Sequence, residues 1–266
     1  MNYITLDYWD LASAAALLLI NAGLSIVFQL GLARRLVIAA ARMVVQLTMV
    51  GLVLKALFAV QSPWLTILVA LAMVLFAGRE AIARQERTFT GYWSYGIGTA
   101  SMCVAALIVT LYAVTTQFEA RSWFDPRYAI PLLGMILGNT MNGVSLCLDR
   151  LLSSAHAERI AIEARLALGA DARTALSSVS RQAMRAGMLP TVNAMAATGL
   201  VSLPGMMTGQ ILAGVEPVEA VKYQILIMFL IGGGTALGVF AAIQFASKRL
   251  TDARHRLRLD RLTVKN

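Results

Sequence analysis

Chemistry in this chain has to be carried by a few polar side chains set in apolar surroundings. An apolar run over residues 128–148 contains Met135, Asn139, Asn142 and Ser145, and Asp149 follows at its end. At about 100° per residue these five positions fall within an arc of about 120°, one polar stripe along a helix. Such a stripe faces a cavity or a subunit interface, and its amides either contact a solute or cross-link helices by hydrogen bonds. A second set is Pro204, Gly205, Met206, Met207 and Gln210. Proline removes a helix hydrogen bond and frees carbonyls, a device that lines substrate sites or forms hinges. The adjacent thioethers of Met206 and Met207 are candidate soft ligands for a transition-metal ion, or gap-filling core. Gln46 shares a face with Arg42 and Met49 in another apolar run, as packing glue or as a pathway residue.

Covalent and hydrolytic chemistry is not expected. The two histidines, His156 and His255, lie far apart in polar segments, and Cys103 and Cys147 lie in apolar ones. No zinc-type ligand spacing, phosphate-binding G-x-x-x-x-G-K-[ST] loop or credible Ser-His-Asp arrangement is present. The chain is expected to be no enzyme and to bind no cofactor itself. Any ATP-driven work needs a separate subunit carrying the ATP and Mg.

The elements that must position these residues follow from composition. With 58% hydrophobic and 14% charged residues over 266 positions, there is too little polar surface for a soluble fold. The expectation is an all-α polytopic membrane protein, one domain over 1–266, in the bacterial cytoplasmic (inner) membrane. A span needs about 20 mostly apolar residues. Seven are expected, over residues 11–32, 36–60, 64–78, 95–114, 128–148, 191–213 and 221–246. The third is short; it either extends past Arg79, whose side chain snorkels, or spans partially. Pro190 is expected in the first turn of the sixth, where a missing N–H costs nothing. Small-residue pairs at Gly134 and Gly138, Gly205 and Gly209, and Gly234 and Gly238 permit close helix approach, including a homodimer.

Of the 23 Lys and Arg residues, 19 fall after spans one, three, five and seven. Cationic loops stay in the cytosol, which puts the N-terminus outside and the C-terminus inside. The net charge of +9 is accordingly a topology signal and not a sign of nucleic-acid binding. The basic tail, 247–266, is expected on anionic lipid headgroups or on an acidic partner surface.

One long polar interval, 149–190, separates spans five and six. Leu152, Ala155, Ile162 and Leu166 recur there at helical spacing, and Arg159 can pair with Glu163 four residues on. Gly169 can take the left-handed conformation that ends a helix. Asp171 can cap the next, whose apolar face is Leu176, Val179 and Ala183. The result is either a protruding cytosolic elbow or a connector lying on the bilayer surface.

Glu163, Ala164, Arg165 and Gly169, closed by Leu189 and Pro190, resemble the E-A-A-x-x-x-G coupling loop of ATP-binding-cassette permeases. Two departures stand out: Arg165 replaces Ala, and Leu189–Pro190 lies about two helical turns farther from Gly169 than in importer loops. GMILGNTMNGVSLCLDRL, IEARLALGA and MLPTVNAMAATGLVSLPGMMTGQILAG together resemble the FetB-type (YbbM) family of iron-export permeases over nearly the whole chain. The resemblance implies a permease worked by a separate cytosolic ABC ATPase, with two copies of each subunit, and exporting iron. The alternatives are another substrate, whether a different metal or a nucleotide sugar, and a non-transporting scaffold coupled to an ATPase. A gradient-driven transporter would need buried carboxylates within the spans, and these are not found.

Overall fold

The computed structural model describes residues 7–60, 62–116, 126–252 and 254–264. Helices dominate, and six of them are long and apolar enough to cross a membrane. Packing divides the chain into two units, Met1–Ser62 with Leu212–Gly214, and Pro63–Ile211 with Val215–Asn266.

The first unit is a helical hairpin of α1 (Tyr8–Val27) and α2 (Ala33–Val60). Asp10 in the first turn of α1 complements the positive end of the helix dipole. Gln29 and Gly31 adopt positive φ in the turn, and Ser25 Oγ accepts a hydrogen bond from Leu32 N at 3.1 Å. That side chain satisfies a donor at the start of α2 that no helix carbonyl could reach.

The second unit contains α3 (Pro63–Ala83), β1 (Arg87–Phe89), α4 (Trp93–Thr116), α5 (Pro126–Ala157), α6 (Arg159–Ala167), α7 (Ala172–Ala175), α8 (Ser177–Ala197), α9 (Gly205–Leu212, whose last residue groups with the first unit), α10 (Pro217–Leu250) and β2 (Leu262–Val264). The third apolar run is a full-length helix, and α3 continues past Arg79. At its centre α5 packs on α3, α4, α8 and α10. Glycines set the closest crossings. A Cβ on Gly187 of α8 would lie 2.6 Å from the Gly143 carbonyl oxygen of α5, and one on Gly238 of α10 would lie 2.5 Å from Thr140 Cγ2. Gly234 is also tight against Ile136, whereas Gly138, Gly205 and Gly209 have no neighbour within 4 Å of such a Cβ. Of the three expected small-residue pairs, Gly234 with Gly238 makes a close helix crossing; Gly134 alone of the remainder approaches a side chain, Met73.

Two expected boundaries are corrected. Pro190 does not begin a helix; it lies inside α8, which starts at Ser177. Val179, Ala183, Gly187 and Thr191 are buried at four-residue spacing, so one continuous packed face carries the helix through the proline. The run 191–213 is not one helix. α8 ends at Ala197, Gly199 takes φ +90°, Thr198 and Ser202 bridge, and α9 has only 8 residues. The unwinding precedes Pro204, whose carbonyl accepts the first hydrogen bond of α9, from Thr208 N at 3.0 Å.

α5 and α10, with 32 and 34 residues, run about 48 and 51 Å, well beyond the roughly 30 Å of a hydrocarbon core. The excess carries the polar architecture. The chain after α10 is folded: Thr251 bridges Leu257, a 3-10 turn covers Leu259–Arg261, and β2 pairs antiparallel with β1, Phe89 opposite Leu262. Arg261 Nη1 donates to the Arg249 carbonyl at 2.8 Å, placing a cation on the unsatisfied end of α10.

Candidate functional site

The elbow is built at the polar end of α5. Leu151, Leu152 and Ala155 are fully buried, so α5 extends beyond Asp149 as packed helix before the chain turns at Glu158 into α6. Ile162 anchors α6, and Leu176, Val179 and Ala183 anchor the returning arm. At the bend, Gly169 has φ +91° with nothing within 4 Å of a Cβ, so glycine is needed there for conformation alone. Gly169 N donates to the Leu166 carbonyl and Ala170 N to the Arg165 carbonyl, both at 3.0 Å, closing the helix end.

Asp171 caps α7, its carboxylate accepting from Thr174 N at 2.8 Å. That bond, followed by the charges of His255 and Arg173, holds its carboxyl below the ordinary aspartate range. Arg165 Nη1 donates to the Ala175 carbonyl at 3.2 Å and so clips α6 to α7. This gives the arginine in the third motif position a structural task. The expected Arg159–Glu163 ion pair does not form among the described residues. From the tail, His255 Nδ1 accepts from Ala172 N at 3.2 Å, bringing the C-terminal segment onto the start of α7.

Glu163, Ala164, Arg165 and Gly169 are all exposed, as are Leu189 and Pro190 along α8. Two residues that motif reasoning passed over join them. Ile160 is 75% exposed and Leu168 88% exposed, large apolar side chains on an otherwise polar elbow. Their signal in the sequence is apolar residues out of phase with the buried face of Ile162 and Leu166.

The α5 stripe is placed against the end of α3. Arg84 Nη1 donates to Asn142 Oδ1 at 2.6 Å, Ser145 Oγ donates to the Ala81 carbonyl at 3.0 Å, and Asp149 Oδ1 accepts from Glu86 N at 2.8 Å. Three stripe residues thus tie α5 to the last turn of α3 and to the turn that leads from it into β1. Asn139 Nδ2 donates back to the Met135 carbonyl within α5. Of the other pathway candidates, Gln46 is exposed on α2 in the first unit, and Met206, Met207 and Gln210 lie on α9, which forms no substantial interface with α5. Met206 is exposed, and the buried Oε1 of Gln210 lacks a hydrogen-bond partner among the described residues. No group of three or more His, Cys, Asp or Glu able to hold a metal occurs among the described residues.

The sequence pattern of the Uncharacterised protein family (UPF0014) matches residues 8–251. The chain belongs to this family. The "UPF0014 membrane protein slr1647" of Synechocystis sp. is 42% identical over 206 residues, covering 76% of this chain and 77% of the relative. The "Probable iron export permease protein FetB" of Escherichia coli is 32% identical over 265 residues and covers both chains fully. "Protein ALUMINUM SENSITIVE 3" of Arabidopsis thaliana is 30% identical over 229 residues, covering 86% of this chain and 82% of the relative. No solved structure matches. This UPF0014 chain is an integral, multi-pass membrane protein, as its six apolar helices and its relatives' names agree.

Proposed function

We propose that this chain is the permease subunit of an ABC-type exporter of iron, moved by a separate cytosolic ATPase that grips the Gly169 elbow. The observation that carries the reading is the elbow itself: a capped, glycine-hinged turn beyond the apolar spans, presenting Ile160 and Leu168 on its surface and rooted in the two helices that pack at Gly143 and Gly187. Large apolar side chains exposed on the cytosolic elbow offer apolar area that a partner protein can cover. Because α5 and α8 continue from the elbow into the packed helices, displacement of the elbow passes to the stripe and to the break at 198–204, supporting alternating access. Iron as cargo rests on the similarity to the Escherichia coli protein named as a probable iron export permease, FetB.

The test is ATP-dependent accumulation of iron in inverted vesicles holding this chain and its cognate ATPase, with an ATPase-dead partner as control. Accumulation that requires the live partner is expected. Gly169→Pro should abolish it while leaving membrane insertion intact, because proline fixes φ near −65°. Normal transport by that variant would refute the coupling role. ATP hydrolysis stimulated by this chain without iron accumulation would retain the partner and refute the cargo.

A further inference from the structure

We propose that the recess between the start of α4 and the end of α10 is a binding site for a phosphate-bearing anion, the headgroup phosphate of an anionic phospholipid. The recess has a volume of about 440 Å³ and is lined by Thr90, Gly91, Tyr92, Trp93, Gly96 and Arg249. Its cation is Arg249, in the last turn of α10. The guanidinium carbon lies 4.2 Å from the centre of the Trp93 ring, a cation–π contact that orients the fork without neutralising it.

Among the described residues no carboxylate lies within ion-pair distance of Arg249, and its buried Nε has no hydrogen-bond partner. Neighbouring arginines are committed elsewhere. Arg258 pairs with Asp260 at 2.7 Å, Arg256 with Asp252 at 2.8 Å, and Arg261 donates to backbone carbonyls. Arg249 thus has no counter-ion among the described residues and, unlike Arg261 with its bonds from Nη1, no side-chain hydrogen bond at Nε; a planar guanidinium fork matches phosphate oxygens.

The surroundings select the lipid source. Tyr92 is 91% exposed and Trp93 53% exposed at the point where an apolar spanning helix begins. Amphipathic rings at such a boundary sit at headgroup level. A bilayer would thus bring phosphates to the recess at high local concentration, with acyl chains running along α4 and α10. Gly91, at φ +67°, and Gly96 leave the floor open, since a Cβ at either would meet nothing within 4 Å.

The test uses the full chain in nanodiscs of phosphatidylcholine with increasing brominated phosphatidylglycerol, reading Trp93 quenching as the difference between wild type and Trp93→Phe. Quenching by brominated phosphatidylglycerol should exceed that by brominated phosphatidylcholine. Arg249→Gln should lower that preference about five-fold, the effect of one surface cation near an anionic leaflet. Arg249→Lys, which retains charge and guards against misfolding of the Gln variant, should keep part of it. Equal quenching by both lipids, or a preference unchanged in Arg249→Gln, would overturn the proposal. Saturable displacement of the brominated lipid by millimolar inorganic phosphate would uphold the phosphate site and overturn its assignment to lipid.

Discussion

Gly187→Ala is the sharpest test of how α8 is held. A methyl at this position would lie 2.6 Å from the Gly143 carbonyl oxygen, 2.8 Å from Cys147 Cβ and 3.0 Å from Val239 Cγ2. The closest carbon–oxygen contacts between helices are about 3.3 Å, so α8 must retreat from α5 by roughly 0.7 Å. Two of the three obstacles are a backbone carbonyl and a Cβ, neither of which can rotate away. Overpacking of this kind costs about 1–3 kcal/mol, offset by the roughly 0.5–1 kcal/mol that alanine gains over glycine in a helix. Gly138→Ala on α5 is the matched control, since nothing lies within 4 Å of its Cβ and only the helix gain remains. Thermal unfolding in one detergent should place Gly187→Ala about 2–6 °C below wild type, with Gly138→Ala at or above it. Because unfolding of such proteins is irreversible, the comparison is made at a single scan rate. Equal melting of the two variants would refute the claim that the α5–α8 crossing is set by glycine contact. In the transport assay Gly187→Ala should also weaken coupling, because the displaced helix is the arm returning from the elbow.

Gly169→Ala has no steric obstacle, so its whole cost is the left-handed backbone, about 1–2 kcal/mol. It should reduce stimulation of the partner ATPase, and Gly169→Asn should reduce it less. A double-mutant cycle of Arg84→Ala and Asn142→Ala should give a coupling of about 1 kcal/mol in chemical unfolding, as expected for a charge-assisted bond at 2.6 Å that is partly open to its surroundings. In the tail, Asp252 is held down to about 2, first by the Arg256 backbone N–H, and Asp260 to about 2, first by Arg258. Both carboxyls titrate lower folded than unfolded, so their stabilisation is complete above about pH 4 and is lost as pH falls through about 2. Pepsin should cleave the tail increasingly over that window, relative to an unstructured peptide of the same sequence, and Asp252→Asn should show a smaller pH dependence.

Much of the framework was legible because hydropathy is local. Six of the seven apolar runs, the left-handed Gly169 and the Asp171 cap each depend on a few adjacent residues and a backbone preference, and the structure reproduces them; the run 191–213 is the exception. The stripe on α5 was visible as a stripe, since helical periodicity alone puts Asn142, Ser145 and Asp149 on one face. Its neighbour was not visible. Only the packing of α5 on α3 decides that Arg84, the Ala81 carbonyl and Glu86 N meet those side chains, contacts that span 58, 64 and 63 residues of chain.

The same division accounts for the misread boundaries. Proline is best tolerated at a helix start, so Pro190 read locally suggests one; the buried face from Val179 to Thr191 overrides that preference because packing on α5 and α10 outweighs one lost hydrogen bond. The basic tail read as a run for anionic headgroups or an acidic partner surface because its excess of positive charge is what is legible locally. In the folded chain Arg256 and Arg258 are matched by Asp252 and Asp260, and Arg261 donates to carbonyls at the end of α10. β2 finds β1 across 175 residues, as Thr88 and Thr263 show. By itself, then, the sequence determined the membrane class, the six apolar spanning helices and the glycine-hinged elbow, all set by transfer of apolar side chains out of water and by short-range backbone sterics. The partners of the polar stripe, the fold of the tail and the unmatched charge of Arg249 were decided by tertiary structure, because each depends on which distant groups close packing brings within hydrogen-bonding reach.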